Sequence, residues 1–109
     1  MTASDASDEA AAIESRHKLL QLFGENELAG RTVRGVAGEA LSLVGADLDH
    51  TVFDRVDLHG CDLSRARLEN ASLTSVDLRA AVLAGALWNR VRAVDCDFTE
   101  VDLSGATLK

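Results

Sequence analysis

The chain has 109 residues, one domain of ordinary size, with eleven basic residues against eighteen acidic ones and a net charge of −7. It has no proline or tyrosine, one tryptophan and three phenylalanines, so something other than large aromatics must fill its core. The acidity argues against nucleic acid as a direct partner, and no stretch approaches the roughly 18 apolar residues that cross a bilayer.

The first thirty residues are acidic and lack the apolar core of a signal peptide, so a cytoplasmic protein is expected. Residues 1–7 are small and polar and read as a frayed N-terminus. A capping helix is predicted over 8–24: Ser7 can cap it, Asp8 and Glu9 suit its positive end, and Gly24 can stop it. Ile13, Leu20 and Phe23, with Leu19 beside them, form an apolar stripe suited to covering the N-terminal end of the remaining chain once it has folded.

From Leu41 one pattern of fives runs to the last residue. Large apolar residues recur at Leu43, Leu48, Phe53, Leu58, Leu63, Leu68, Leu73, Leu78, Leu83, Trp88, Phe98, Leu103 and Leu108, broken only by Ala93. Two residues before each sits a small or apolar one, such as Ala46, Val56, Cys61, Ala66 and Ala71. Upstream the register continues weakly through Leu28 and Val33 and lapses at Gly38, so 25–40 is expected to be a degenerate first coil ahead of 41–109.

A period of five suits neither regular element. Steps of five scatter side chains around a helix, by about 140° each, and on a straight strand an odd step flips the side chain to the opposite face. Both inward sets point inside if a short extended segment is followed by a right-angled turn every five residues. Four segments then close a twenty-residue square coil, and coils stack at about 4.8 Å. Trp88, oversized beside the undersized Ala93, is expected to conserve volume within one coil as a core residue. Cys61 and Cys96 fall on adjacent faces about 8 Å apart along the axis, beyond the roughly 7 Å that a disulfide spans; both are expected to stay reduced.

The segments Ala46-Asp47-Leu48-Asp49-His50, Val56-Asp57-Leu58-His59-Gly60, Cys61-Asp62-Leu63-Ser64-Arg65 and Val101-Asp102-Leu103-Ser104-Gly105 resemble the pentapeptide-repeat family, whose motif is A-(D/N)-L-x-x. The resemblance covers 41–109. It implies an all-β solenoid, a right-handed quadrilateral β-helix, here with an N-terminal α-helix.

No phosphate loop, metal pair or nucleophile–base motif stands out, so no catalytic, cofactor or metal site is expected. His50 and His59 fall at outward positions and His17 on the helix; Glu39, His59, Arg79 and Thr99 would share one outer column. Asp47, Asp57, Asp62, Asp77, Asp97 and Asp102 occupy the second position of the motif, where their carboxylates can accept turn amides and are structural first. Set apart from these, the outer wall leans slightly basic. Arg65, Arg67, Arg90 and Arg92 lie on neighbouring corners one coil apart and, with Asp49 and Glu69, form the candidate interaction surface.

A protein-interaction or scaffold module presenting the faces of a rigid prism is the first expectation. The resemblance also implies an alternative, an acidic DNA mimic of the quinolone-resistance type that binds DNA gyrase or topoisomerase IV. Against it stand the arginines and a rod of only about 17 Å. The repeats reach Leu108-Lys109 without a polar cap, so Leu103 and Leu108 mark a candidate dimer end or a junction with further chain. The quinolone-resistance relatives dimerise through that end, which favours a homodimer.

Overall fold

The computed structural model describes residues 11–109. The period of five becomes a four-sided coil in which every pairing joins residues twenty apart. On the first side, β1 (Thr32–Arg34), β2 (Val52–Asp54), β3 (Ser72–Thr74) and β5 (Arg92–Val94) form one parallel sheet with Val33, Phe53, Leu73 and Ala93 in line. On the fourth side β4 (Leu87–Trp88) pairs in parallel with β6 (Thr107–Leu108). The second and third sides are held by single parallel bridges, such as Asp57 to Asp77 and Ser42 to Asp62. The stacked strands pair backbone groups with the coils on either side: Asp57 N–H donates to Val36 O at 2.9 Å and Leu58 N–H to Asp77 O at 2.8 Å.

The interior is a set of side-chain ladders. Leu43, Leu48, Phe53, Leu58, Leu63, Leu68, Leu73, Leu78 and Leu83 are buried, and so are the small partners Ala46, Val56, Cys61, Ala66, Ala71, Val76, Ala81 and Ala86. A narrow square interior has room for four leucines per coil only because the other inward set is small. Thr51 occupies one small position; its hydroxyl donates to Leu48 O at 2.6 Å, which satisfies a group that would otherwise cost stability there.

Each side ends in a corner whose residue adopts positive φ. This holds at every fifth position from Gly30 (φ 76) to Gly105 (φ 68), including non-glycines such as His50, Arg55, Asn70 and Ala80. On three sides the central carbonyl also accepts the amide three residues on, as in Leu43 O from Ala46 N–H at 3.1 Å and Leu58 O from Cys61 N–H at 3.1 Å. A left-handed third residue with that bond is the type II turn geometry. The first side lengthens into three-residue strands instead.

The N-terminal helix is shorter than the sequence pattern suggests. It runs from Arg16 to Gly24 (α1), and Ser15, not Ser7, caps it by accepting Lys18 N–H at 3.1 Å. Ser7, Asp8 and Glu9 lie outside the described residues. Ile13 is not helical, because it bridges Val33 in parallel, with its N–H on Thr32 O and its carbonyl accepting Arg34 N–H. It therefore begins the first coil. From Ile13 to Leu28 is three pentads, so α1 takes the place of the second and third sides of that coil without breaking register. Asn26 (φ 56), not Gly24, makes the left-handed exit: its N–H donates to Phe23 O and that of Glu27 to Leu22 O, a Schellman motif. Leu19 and Leu22 are buried over the open end, Phe23 packs beside them, and Leu20 turns outward at 39% exposure.

Gly38 keeps its place in the coil, with its N–H on Asp57 O at 2.8 Å. A Cβ there would meet Leu41 Cδ1 at 3.3 Å and Leu58 Cδ2 at 3.4 Å. Leu41, large at a small position, fills the space that the missing side chain leaves. The lapse at Gly38 is an exchange of bulk between neighbouring pentads, and the backbone of 28–40 follows the coil. No helix among the described residues is long and apolar enough to cross a membrane.

Candidate interaction faces and the open end

Outward positions on the four sides differ in charge. The second side carries Glu39, Asp57, Asp77, Asp97 and Glu100 against Arg79 alone, whereas the first carries Arg34, Arg55 and Arg92 against Asp54 and Asp95. Asp57, Asp77 and Asp97 bridge one another in a single column, stacked at the inter-strand spacing of about 4.8 Å. Like charges so placed repel. Arg79 relieves this by pairing with Asp77 at 2.7 Å and approaching Asp97 at 4.0 Å. It shares its column with His59 and Thr99, as twenty-residue spacing requires.

The motif aspartates are all used by the backbone. Asp47, Asp57, Asp62, Asp77, Asp97 and Asp102 each accept the N–H of the residue two positions on. Ser64, Thr99 and Ser104 add hydroxyl donors to Asp62, Asp97 and Asp102. These hydroxyls, followed by the amides, hold the three carboxyls below the usual carboxylate range; for Asp77 the first cause is the Arg79 side chain. Each favours the ionised form, so it adds stability above the unfolded carboxylate value near 4 and loses it as pH falls through the lower folded values. Thermal midpoints are thus expected to be level from about pH 7 to 5 and to fall below about pH 4. Calorimetry across that range checks this, and a midpoint that stays level down to pH 3 would mean that the turn carboxylates add nothing to stability.

The arginine cluster is not a free basic patch. Arg67 binds Asp49 at 3.0 Å, and Arg90 lies 3.5 Å from Glu69. Asp49 also accepts Glu69 N–H at 2.9 Å, tying adjacent coils together. Arg65 lays its stem over Gly85, where a Cβ would lie 3.3 Å from Arg65 Cγ, and Arg92 is exposed on β5. Asp49 and Glu69, grouped with the arginines as surface residues by the sequence pattern, are their ion-pair partners across coils.

At the C-terminal end the inward residues lose their cover. Phe98 and Leu103 are 40% exposed and Leu108 56%, although their positions match the buried leucines of inner coils. Trp88, expected to be buried, is half-buried; it meets Phe98 edge-on with ring centroids 5.9 Å apart. With Leu103 and Leu108 these two rings line an open hollow of about 210 Å³. Ala93 is exposed as well, so there is no overlying coil in which its small volume offsets the tryptophan. Cys61 is buried, donates to Gly38 O, and its thiol is pushed up to about 11, chiefly by burial; both cysteines are free. Among the described residues no group of three or more His, Cys, Asp or Glu is placed to hold a metal ion.

The twenty-residue coil and its A-(D/N)-L core coincide with a family model for pentapeptide repeats, which matches in eight copies over residues 41–70 and 77–109. The chain belongs to the pentapeptide repeat family. Pentapeptide repeat proteins are generally non-catalytic structural or interaction modules. No curated protein matches the sequence significantly. Three solved structures resemble the fold. One is QnrB1, a plasmid-mediated fluoroquinolone resistance protein, with TM-score 0.73 at 22% identity over 89% of this chain and 47% of that one. Another is HetL of the cyanobacterium Nostoc sp. strain PCC 7120, involved in heterocyst differentiation regulation, with TM-score 0.69 and 26% identity over 73% and 37%. A pentapeptide repeat protein of the Arabidopsis thaliana thylakoid lumen gives TM-score 0.64 and 26% identity over 75% and 53%. The chain thus spans about half or less of the length of these relatives. Their likeness implies a right-handed quadrilateral β-helix for the coil.

Proposed function

We propose that this pentapeptide repeat protein is a non-catalytic interaction module whose second side is the face a partner protein reads. The observation that carries this reading is the carboxylate column Asp57, Asp77 and Asp97, flanked by Glu39 and Glu100, on a wall fixed by backbone hydrogen bonds. Carboxylates held in place lose little freedom on binding, so such a wall favours a partner with a complementary basic surface. The test is cross-linked capture from cell extract with three proteins: wild type, Glu39→Lys with Glu100→Lys, and Arg55→Glu with Arg92→Glu. A partner held by wild type and the arginine variant but lost by the lysine variant is the expected result. Equal recovery by all three sinks the assignment of the face.

One observation favours a more specific second reading, the acidic DNA mimic acting on DNA gyrase or topoisomerase IV: the acids gather on one side, while Arg34, Arg55, Arg67 and Arg90 on other sides are drawn into ion pairs. The stacked levels from Ile13 to Ala93 give a rod of about 19 Å, short for a duplex mimic, and a homodimer joined at the C-terminal end would double it. The two shorter extents of the chain are 24 and 22 Å, so an end-to-end contact of that cross-section would bury on the order of 1,000 Å² in total, the lower bound for a specific interface. Trp88, Phe98, Leu103 and Leu108 would form its apolar centre. Gyrase supercoiling titrated with the protein to micromolar concentration should respond, and an unchanged rate removes this reading.

A further inference from the structure

Inside the coil, central and corner residues donate their N–H groups to the following coil. On the second side Gly38 donates to Asp57 O and Ala40 to His59 O, both at 2.8 Å, and Leu58 and Gly60 repeat this with Asp77 O and Arg79 O. The corresponding acceptors at the N-terminal rim are the carbonyls of Ala37 and Glu39. No strand reaches them, because α1 stands where a second side of the first coil would run. Arg16 does: its Nη1 donates to Ala37 O at 3.2 Å and to Glu39 O at 2.9 Å. One guanidinium nitrogen replaces the two backbone donors of a missing pentad, while Leu19 and Leu22 cover the ladders behind it.

The opposite rim presents the complementary set. Forty residues beyond Leu58 and Gly60 stand Phe98 and Glu100, whose N–H groups occupy the donor positions of that register, beside the uncovered Phe98, Leu103 and Leu108 side chains. A second copy stacked head to tail would extend the ladder that holds the coil together, with Phe98 and Glu100 donating toward Ala37 and Glu39. Such heterologous contacts do not close and generate fibres.

We propose that α1 and Arg16 form a plug that denies this register to a second copy, so that the N-terminal end is closed to self-association. The inference shares only the open C-terminal end with the proposed homodimer. Its test is light scattering on a size-exclusion column over a concentration series, with circular dichroism as the check on folding. Arg16→Glu combined with Leu19→Glu and Leu22→Glu undocks the helix from the full chain. The expected result is a mass that climbs without a plateau past twice the 11.6 kDa of one chain, and that returns to the wild-type value or below when Leu103→Glu and Leu108→Glu are added. A mass equal to wild type at every concentration overturns the proposal. So does growth that persists after the C-terminal pair is changed, because that is unspecific exposure of apolar surface. Should the undocked variant lose its cooperative transition, Arg16→Glu alone decides: mass beyond wild type supports the plug, an unchanged mass overturns it. A monomeric wild type removes the homodimer and leaves the plug to stand or fall on the variants.

Discussion

Leu68→Arg is expected to abolish the cooperative unfolding transition and the β-type far-ultraviolet signal. Leu68 is 2% exposed, and bridges above and below its strand, Asp47 to Arg67 and Arg67 to Leu87, fix it between Leu48 and Trp88 in one ladder. Arginine stays charged at any accessible pH. Taking its charge out of water costs several kcal/mol even after relaxation, and losing the leucine contacts costs roughly another 2–5 kcal/mol. A domain of this size has about 5–15 kcal/mol to lose. A lateral escape for the long side chain is closed, because each side of the coil is backbone hydrogen-bonded to its neighbours. Leu108→Arg is the control. It sits two steps further along the same column, is 56% exposed, and should leave the melting curve nearly unchanged. Chemical denaturation followed by circular dichroism distinguishes the two. A cooperative β-type transition in Leu68→Arg would mean that this column does not face inward.

The contrast between Leu68 and Leu108 also marks what the sequence could reveal. Period and inward direction are written into the residues, since leucine and its small partner must both point inside wherever a pentad occurs. Cover is not: Phe98 and Leu103 obey the same pattern as Leu58 and Leu63, and only the stacking of coils decides which are buried. The helix start was hidden for a similar reason. Ala11, Ala12 and Ile13 favour a helix by propensity, yet Ile13 gains a parallel bridge to Val33 and the interior of the coil, and that tertiary gain overrides local preference. Surface chemistry was legible only in part. The motif aspartates were identifiable as amide acceptors from their position, but twenty-residue wrapping alone does not say that Arg67 reaches Asp49 or that Arg90 reaches Glu69; long side chains choose partners across coils. The gathering of acids on the second side was present in the same columns and emerges once residues are sorted by side.

One signal in the sequence was missed and carries the last prediction. From Gly30 to Gly105 every fifth residue is a corner at positive φ, and no β-branched residue stands at any of them. Left-handed backbone costs an L-residue about 1–2 kcal/mol, and a branched Cβ makes it an outlier. Ala80 isolates this term, since it is exposed, has φ 58, and keeps its N–H on Thr99 O at 2.9 Å whatever its side chain. Ala80→Gly removes the left-handed penalty but adds roughly 0.5–1 kcal/mol of unfolded-chain entropy, so a net gain of about 0.5–1 kcal/mol is expected. Ala80→Val should lose about 2 kcal/mol, near the middle of the range for strained backbone. Glycine above alanine above valine is the reverse of what strand propensity alone gives. Urea midpoints with unchanged slopes test the order. Valine as stable as alanine would show that the corner can leave the left-handed region, and that turn geometry does not set the period of five.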